Sequence, residues 1–292
     1  MSRASKQKLN RNGTLFGDVV IHLLLAAIGI VSIYPFFYVL FMSVMPYDRF
    51  VSSPIHLLPD GFTLEYFRQV MKDPDLPKAF VMSIVRTVVG TSLATVATML
   101  AGYGLSRKNL RWSGFLSGIF LIPMYFGAGL IPTYVIYNTI GITNTFWALV
   151  LPGMVSPMWF FVTKAAMSSY PEQILEAARI DGSGHWRTFW TVVWPTSLPS
   201  VATLALMYAM GHWNEYIMTR ILVMKDLWTA PVYLYGLINS KITLQGLGVG
   251  VRLEPQSYIS AVAALLIIPI LVMYPLMQRY VITGLTAGAV KG

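Results

Sequence analysis

The chain has 292 residues, of which 55% are hydrophobic and 11% are charged, and its formal net charge at pH 7 is +9. Soluble globular domains carry about a quarter charged residues, so this composition excludes an ordinary soluble domain and indicates a membrane protein. There is no cysteine, which excludes disulfide bonds, thiolate metal sites and cysteine nucleophiles. The histidines also lack the spacing of metal ligands, so we predict no metal site.

Six apolar stretches are each long enough to cross the lipid core as a helix, which requires about 20 residues. They lie at residues 19–45, 79–105, 112–137, 145–163, 192–222 and 257–278. The first is too long for the apolar region of a signal peptide, and no clear cleavage site follows it. We therefore predict an all-α polytopic protein with six transmembrane helices and a single domain, residues 1–292.

The distribution of lysine and arginine indicates which side of the membrane faces the cytoplasm. On the side of the two termini lie twelve of these residues and four acidic ones, whereas the opposite loops hold seven basic and seven acidic residues. Both termini are therefore expected in the cytoplasm. The basic residues are scattered at span ends and form no dense patch, so we expect no nucleic-acid partner.

The two outer loops, residues 46–78 and 223–256, are long for connections between packed helices. The first contains four prolines among alternating acidic and basic residues, so we expect it to be partly ordered on the outer surface. The second begins with an aromatic and apolar segment, residues 227–235. This segment fits a stretch of chain that dips toward the membrane or the mouth of a pore.

The segment 168–199, between the fourth and fifth stretches, is too polar to cross the membrane. Pro171 suits a first helical turn, and Glu172 lies near the positive end of the helix dipole. An apolar stripe predicts a short amphipathic helix from Pro171 to Asp181, ended by glycines, and residues 185–190 predict a second interfacial helix. On physical grounds this segment is either a docking element for a cytoplasmic partner or an interfacial helix without a partner.

A family resemblance favours the docking element. The segment resembles the coupling motif of permease subunits of ATP-binding-cassette (ABC) importers, in which Glu-Ala-Ala precedes Asp-Gly and later prolines. The residues that match are Glu176, Ala177, Ala178, Asp181, Gly182, Phe189, Pro195 and Pro199. Ser183, Val192 and Trp194 differ from the residues usual in that family. The motif implies polar anchors, small residues for close approach, and a turn with positive φ at Gly182.

The resemblance covers nearly the whole chain. Residues 213–216 and 278–292 are similar to the second permease subunit of maltose-type carbohydrate importers. The long outer loop before the sixth stretch resembles the branch for oligosaccharides and uronate-containing saccharides. The resemblance implies a bacterial inner-membrane protein that forms half of a path for a saccharide. The implied partners are a second permease subunit, two ATPase subunits and an extracytoplasmic solute-binding protein. The chain has no Gly-Lys pair and so no phosphate-binding loop, which places ATP and Mg²⁺ on the ATPase subunits and no cofactor here.

Charged side chains inside membrane spans are costly and usually face the bundle interior, so Glu215 in the fifth stretch indicates a transport path. The candidates for substrate contact are Trp213, Asn214, Glu215 and Tyr216, with Tyr134, Tyr137 and Asn138 in the third stretch. The alternative is an interhelical ion pair of Glu215 with Arg86 or Arg220. An aromatic belt at the membrane interface would likewise explain the tyrosines.

Three other functions remain as alternatives. An ABC permease for a solute other than a sugar fits the same coupling motif. A secondary transporter usually carries buried coupling-ion ligands, whereas Glu215 is essentially the only acidic residue in the six stretches. A membrane-embedded enzyme is disfavoured because the H-E-x-x-H and G-x-S-x-G motifs are missing. We therefore expect that the chain is not an enzyme.

Overall fold

The computed structural model of the chain describes residues 11–52, 58–107, 110–246 and 256–289, and the regular secondary structure in these ranges is entirely helical. The all-α prediction is therefore confirmed. The chain divides into two compact units. One contains residues 1–70 and 252–264, and the other contains residues 71–251 and 265–292.

The first unit is built around the C-terminal end of helix α1 (Arg11–Val44), followed by α2 (Tyr47–Ser52), most of α3 (Glu65–Lys72) and the start of α15 (Gln256–Ala289). Residues 18–37 of α1 are exposed and mostly apolar, as expected for a helix in contact with lipid. The backbone N–H of Thr63 donates to the backbone carbonyl of Val44 over a distance of 2.7 Å. The hydroxyl of Ser257 donates to the backbone carbonyl of Met45 over a distance of 2.9 Å.

Helix α4 (Asp75–Ser106) is the centre of the second unit and packs mainly on α8 (Pro157–Ser168) and α12 (Leu198–Asn214). Its buried face repeats small or hydroxyl-bearing residues at a spacing of three or four: Ser83, Thr87, Gly90, Ala94, Thr98 and Gly102. Small residues at this spacing let helix backbones approach closely. A Cβ atom at Gly90 would lie 2.7 Å from the ring of His212, so this contact requires glycine.

The other helices of the second unit are short and are joined by breaks. They are α5 (Ser113–Tyr125), α6 (Leu130–Thr139), α7 (Trp147–Val150), α9 (Glu172–Ile180), α10 (His185–Thr188), α11 (Trp194–Thr196), α13 (Ile217–Leu222) and α14 (Ala230–Gly246). A π-helical turn covers Phe189–Val193, and a 3₁₀ turn covers Lys225–Leu227. The aromatic segment of the second outer loop therefore begins helix α14.

Within the described parts of the chain, three helical segments are individually long and apolar enough to cross a membrane: Gly17–Val44, Asp75–Ser106 and Gln256–Met273. The helical stretches His185–Thr196 and Leu198–Asn214 meet at an angle of 85° and would together provide a fourth. The chain is thus an all-helical membrane protein with several apolar helices.

The third, fourth and fifth apolar stretches are not continuous helices. The third, residues 112–137, is interrupted before Gly129, whose φ is +83°, and the fourth, residues 145–163, is interrupted around Gly153, whose φ is +77°. The fifth, residues 192–222, is interrupted at Glu215 and Tyr216 between α12 and α13. Apolar length measures solubility in lipid, whereas positive φ at a glycine ends a right-handed helix whatever the polarity of its neighbours.

Candidate coupling loop and transport site

Helices α9 and α10 form the predicted helix-turn-helix between residues 172 and 188. The turn depends on Gly182, whose φ is +77°, a conformation that glycine adopts without steric cost. The N–H of Ser183 donates to the carbonyl of Ala178 over 2.9 Å, and that of Gly182 donates to the carbonyl of Arg179 over 3.0 Å. These bonds satisfy carbonyls at the end of α9, as in a glycine C-cap. The positive φ expected at Gly182 is confirmed.

One face of this helix-turn-helix is anchored in an aromatic core. Leu175 and Phe189 are each 1% exposed and belong to a buried cluster with Tyr103 near the end of α4. The ring centroids of Phe189 and Tyr103 are 5.5 Å apart, and Trp190 and Trp194 pack around the same phenylalanine. Packed aromatic rings therefore connect the loop to α4.

The opposite face is exposed. Among the motif residues, Glu176, Ala177, Asp181 and Gly182 are exposed, whereas Ala178 is buried. Apolar side chains accompany them, since Ile180 is 85% exposed and Trp186 is 65% exposed. Pro199 lies in the first turn of α12, where proline leaves no helical hydrogen bond unmade. Pro195 lies in α11, directly after the π-helical turn. Some residues of the motif thus anchor the loop in the protein, and the others lie on its exposed face.

Arg107 forms a second attachment of the loop that sequence analysis missed. Its Nη2 atom donates to the carbonyl of Met167 over 2.6 Å, and its Nη1 atom lies 3.6 Å from a carboxylate oxygen of Glu172. The guanidinium also lies 4.9 Å from the ring centroid of Tyr103. Glu172 also forms an ion pair with Arg179, whose Nη2 atom lies 3.6 Å from the other carboxylate oxygen. This cluster joins the end of α4 to the end of α8 and the start of α9.

Arg86 on α4 and Glu215 at the break after α12 form an ion pair with 2.9 Å between Nη2 and Oε2. Arg86 also donates to the backbone carbonyls of Leu149 and Glu215, each over 3.0 Å, and to the hydroxyl of Thr219 over 2.8 Å. Of the two partners considered for Glu215, Arg86 is the one observed. The guanidinium of Arg220 instead lies 4.4 Å from the ring centroid of Trp228.

The candidate path residues near this break are divided between the interior and the surface. Trp213 is 5% exposed, and its indole N–H donates to the carbonyl of Leu266 over 3.3 Å. Asn214 is exposed and donates to the carbonyl of Met210 over 2.9 Å. Tyr216 is 36% exposed, and its ring centroid lies 5.1 Å from that of Tyr235. The structure therefore makes Tyr216 accessible and gives Trp213 a packing role.

The candidates in the third stretch lie on α6, which packs on α13. Tyr134 is 39% exposed, whereas Tyr137 packs against the buried cluster of α7 and α13. The side-chain oxygen of Asn138 accepts a hydrogen bond from Thr143 over 3.2 Å. Tyr134 and Asn138 are exposed and could contact a solute from this position.

A pocket of about 630 Å³ lies beside α13 and α14 within the second unit. Its walls include aromatic, charged and amide side chains: Asp73, Asp75, Arg220, Lys225, Trp228, Tyr233, Tyr235, Asn239 and Ser240. Nζ of Lys225 lies 2.5 Å from Oδ2 of Asp75, and the hydrogen bond and charge of that aspartate raise the pKa of the lysine. The hydroxyl of Tyr233 donates to Asp73.

The pocket was not found by sequence analysis because its residues come from three separate segments. The aromatic segment 227–235 was the one local indication of it. Among the described residues, no group of three or more histidine, aspartate or glutamate side chains is arranged to hold a metal ion.

Residues 13–286 of the sequence match the family described as "Binding-protein-dependent transport system inner membrane component". The chain belongs to this family. It is therefore a transport permease, and its position in the inner membrane agrees with its apolar helices.

The permease is similar to several characterised proteins. It is 31% identical to the polygalacturonan/rhamnogalacturonan transport system permease protein YtcP of Bacillus subtilis (strain 168), over 94% of this chain and 98% of that one. It is 28% identical to the trehalose/maltose transport system permease protein MalG of Thermococcus litoralis, over 90% and 93% of the two chains.

A solved structure shares the fold of the permease. A chain of a bacterial ABC transporter involved in the import of the acidic polysaccharide alginate matches with a TM-score of 0.83 and 23% identity, over 93% of this chain and 98% of that chain. A second structure, of an alginate ABC transporter in complex with an alginate pentasaccharide-bound periplasmic protein, matches with a TM-score of 0.57 and 16% identity. The second match covers 90% of this chain and 92% of that chain.

Proposed function

We propose that this permease forms half of the translocation path of an ABC importer for a sugar or oligosaccharide and is driven by a separate ATPase through residues 171–190. The observation that carries the proposal is the two-faced helix-turn-helix. Phe189 and Leu175 hold one face in the protein, whereas Glu176 and Asp181 are presented on the other. A segment that is anchored on one face and exposed on the other can receive force from a partner.

The saccharide substrate is supported by the relatives. YtcP, MalG and the arabinooligosaccharides transport system permease protein AraQ of Halalkalibacterium halodurans are all named for carbohydrates. These three relatives are named for different saccharides, so we propose a substrate class and not one saccharide.

The assembly that we propose contains a second permease subunit, two ATPase subunits that carry ATP and Mg²⁺, and an extracytoplasmic solute-binding protein. The alginate transporter with its bound periplasmic protein supports the last of these. The chain would cross the membrane six times with both termini in the cytoplasm, using broken helices for the third, fourth and fifth crossings. The excess of basic residues on that side supports this orientation.

A mechanical connection from loop to path follows from the length of α4. Tyr103, which contacts the loop, and Arg86, which holds the break after α12, are separated by about 26 Å along a helix that rises 1.5 Å per residue. When closing ATPase subunits displace the loop, α4 moves as a rod, and Arg86 carries the displacement to Glu215. The candidate path residues adjoin that position.

The absence of cysteine in the sequence permits a direct test. Ala177→Cys introduces a single thiol on the exposed face of α9, and Ser240→Cys places one in the pocket beside α14 as a matched control. In membranes containing the whole transporter, we expect a bifunctional cross-linker to join Ala177→Cys, and not Ser240→Cys, to the ATPase. Uptake of labelled oligosaccharide into vesicles should require ATP. Absence of the cross-link would overturn the coupling role, and absence of saccharide uptake would overturn the substrate class.

A further inference from the structure

We propose that the pocket beside α13 and α14 binds an acidic saccharide, with Arg220 receiving a carboxylate and Tyr235 receiving the face of a sugar ring. This inference rests on the proposed saccharide transport and adds a location and a substrate class to it. The ligand that fits is a uronate, a sugar with a carboxylate at C6.

The pocket has the size and composition of a small-molecule site. Its volume of about 630 Å³ falls within the range of roughly 300–1,000 Å³ that is usual for such sites. Its walls combine aromatic rings with amide and hydroxyl groups, including those of Asn239 and Ser240. A pyranose ring has apolar C–H faces and polar edges, so it matches walls of this kind.

The charges of the pocket leave one cation available. Lys225 is engaged by Asp75 at 2.5 Å, and Asp73 accepts a hydrogen bond from Tyr233. Among the described residues, by contrast, no carboxylate lies within 4 Å of the Arg220 guanidinium, which is exposed. The two acidic side chains are therefore neutralised or hydrogen-bonded, while the arginine can accept an anionic ligand.

Trp228 positions this arginine. The guanidinium lies 4.4 Å from the ring centroid of Trp228, within the distance of a cation–π contact. Stacking on a ring leaves the N–H donors of a guanidinium free in its own plane, where they can bind both oxygens of a carboxylate. The side chain is thus restrained before a ligand arrives, which lowers the entropy lost on binding.

Tyr235 supplies the ring face. Its side chain is 39% exposed in the pocket wall, and Tyr216 supports it from a centroid distance of 5.1 Å. Arg220 also follows Tyr216 by one helical turn, because its backbone N–H donates to the Tyr216 carbonyl over 2.9 Å. Arg220 and Tyr216 are therefore fixed to the same short element, and Tyr216 packs on Tyr235 of α14.

The test separates recognition of charge from recognition of shape. The complete transporter, purified through a tag on this chain and placed in lipid nanodiscs without the solute-binding protein, is titrated with trigalacturonate and with its fully methyl-esterified form. Arg220→Gln removes the cation, Arg220→Lys retains it, and Tyr235→Ala removes the ring. Arg49→Gln, which removes an exposed arginine outside the pocket, is the matched control.

We expect Arg220→Gln to weaken binding of the acid about 10- to 100-fold, the range for a lost charge-assisted hydrogen bond, and to change binding of the ester less than about twofold. Arg220→Lys should retain part of the preference for the acid. Tyr235→Ala should weaken both ligands alike, and Arg49→Gln should change neither. Thermal unfolding of each variant complex establishes that it remains folded.

Unchanged affinity for the acid in Arg220→Gln, or an equal loss for acid and ester, would overturn the inference. It would also be wrong if the wild-type complex bound neither ligand. In each of these outcomes, ATP-dependent uptake of saccharide would still leave the proposed function standing. A transporter that imported no saccharide would overturn the proposed function itself.

Discussion

Arg86 and Glu215 are 129 residues apart in the sequence, yet Nη2 of the arginine lies 2.9 Å from Oε2 of the glutamate. The glutamate also accepts the backbone N–H groups of Met218 and Thr219, so it caps the start of α13. The arginine in turn donates to the carbonyl of Leu149 at the end of α7. One ion pair therefore fixes α4, the end of α7 and the break between α12 and α13.

Arg86→Met should strongly destabilise the permease. The substitution leaves the Glu215 carboxylate, whose side chain is 30% exposed, without its counter-charge. Breaking a fully buried pair costs about 3–5 kcal/mol, so we expect a somewhat smaller loss here. Thermal unfolding of the detergent-solubilised complex, followed by size-exclusion chromatography, measures the loss. Adding Glu215→Gln should restore part of the stability because the uncompensated charge is removed. Arg111→Met, at an exposed position, is the control. Equal stability of Arg86→Met and Arg111→Met would contradict this account.

Gly90→Ala should weaken the pairing of α4 with α12. The new Cβ atom would meet the His212 ring at 2.7 Å, and overpacking of this kind costs about 1–3 kcal/mol. Gly104→Ala on the same helix has no neighbour within 4 Å and should be neutral or slightly stabilising, since alanine favours helix. The same thermal assay compares them. A Gly104 variant that unfolded as early as the Gly90 variant would contradict an effect specific to the His212 contact.

Tyr208→Phe should loosen the contact of α12 with α4 and α8. The Tyr208 hydroxyl shares a 2.6 Å hydrogen bond with that of Thr98 and accepts the backbone N–H of Ser156 over 3.0 Å. Loss of the hydroxyl leaves the buried Thr98 hydroxyl and the half-buried Ser156 N–H without this partner, at a cost of about 1–3 kcal/mol. Tyr134→Phe, at an exposed ring, is the matched control. A negligible shift in unfolding temperature for Tyr208→Phe would show that the hydroxyl is dispensable.

Phe189→Ala should detach the helix-turn-helix from α4. The side chain is 1% exposed, and truncating a buried phenylalanine costs about 3–5 kcal/mol. We expect the variant to reach the membrane and retain its other subunits while ATP-dependent saccharide uptake falls at least about tenfold, because one such decade corresponds to only about 1.4 kcal/mol of lost contact between the loop and α4. Phe115→Ala, at a side chain that is 67% exposed, should transport normally. Normal transport by Phe189→Ala would remove this contact from the coupling pathway.

The helix-turn-helix could be predicted because its determinants are local. A proline at the start of α9, an apolar stripe and Gly182 at its end lie within twelve residues and specify the turn without distant contacts. The ion pair was predicted as one of two possibilities. Sequence alone could not select Arg86 over Arg220, since the choice depends on how α4 and α12 pack.

The broken helices and the pocket could not be predicted in the same way. Gly129 and Gly153 lie in apolar stretches, where glycine is compatible with a continuous helix, and only the structure gives their positive φ. In the pocket, Asp73 and Tyr233 are 160 residues apart. Arg107 was counted only as a basic residue at a span end, although three elements converge on it.

The most direct measurement of the coupling role is saccharide-stimulated ATP hydrolysis by the complete transporter carrying Gly182→Pro, compared with Gly182→Asn. Proline fixes φ near −65° and cannot adopt the observed +77°, whereas asparagine tolerates the left-handed conformation and no neighbouring atom lies within 4 Å. We predict that Gly182→Asn retains stimulation and that Gly182→Pro loses it while remaining in the membrane. The Gly182→Pro transporter could instead keep both its stimulated ATP hydrolysis and its co-purification with the ATPase unchanged. That result would contradict the assignment of this loop as the coupling element.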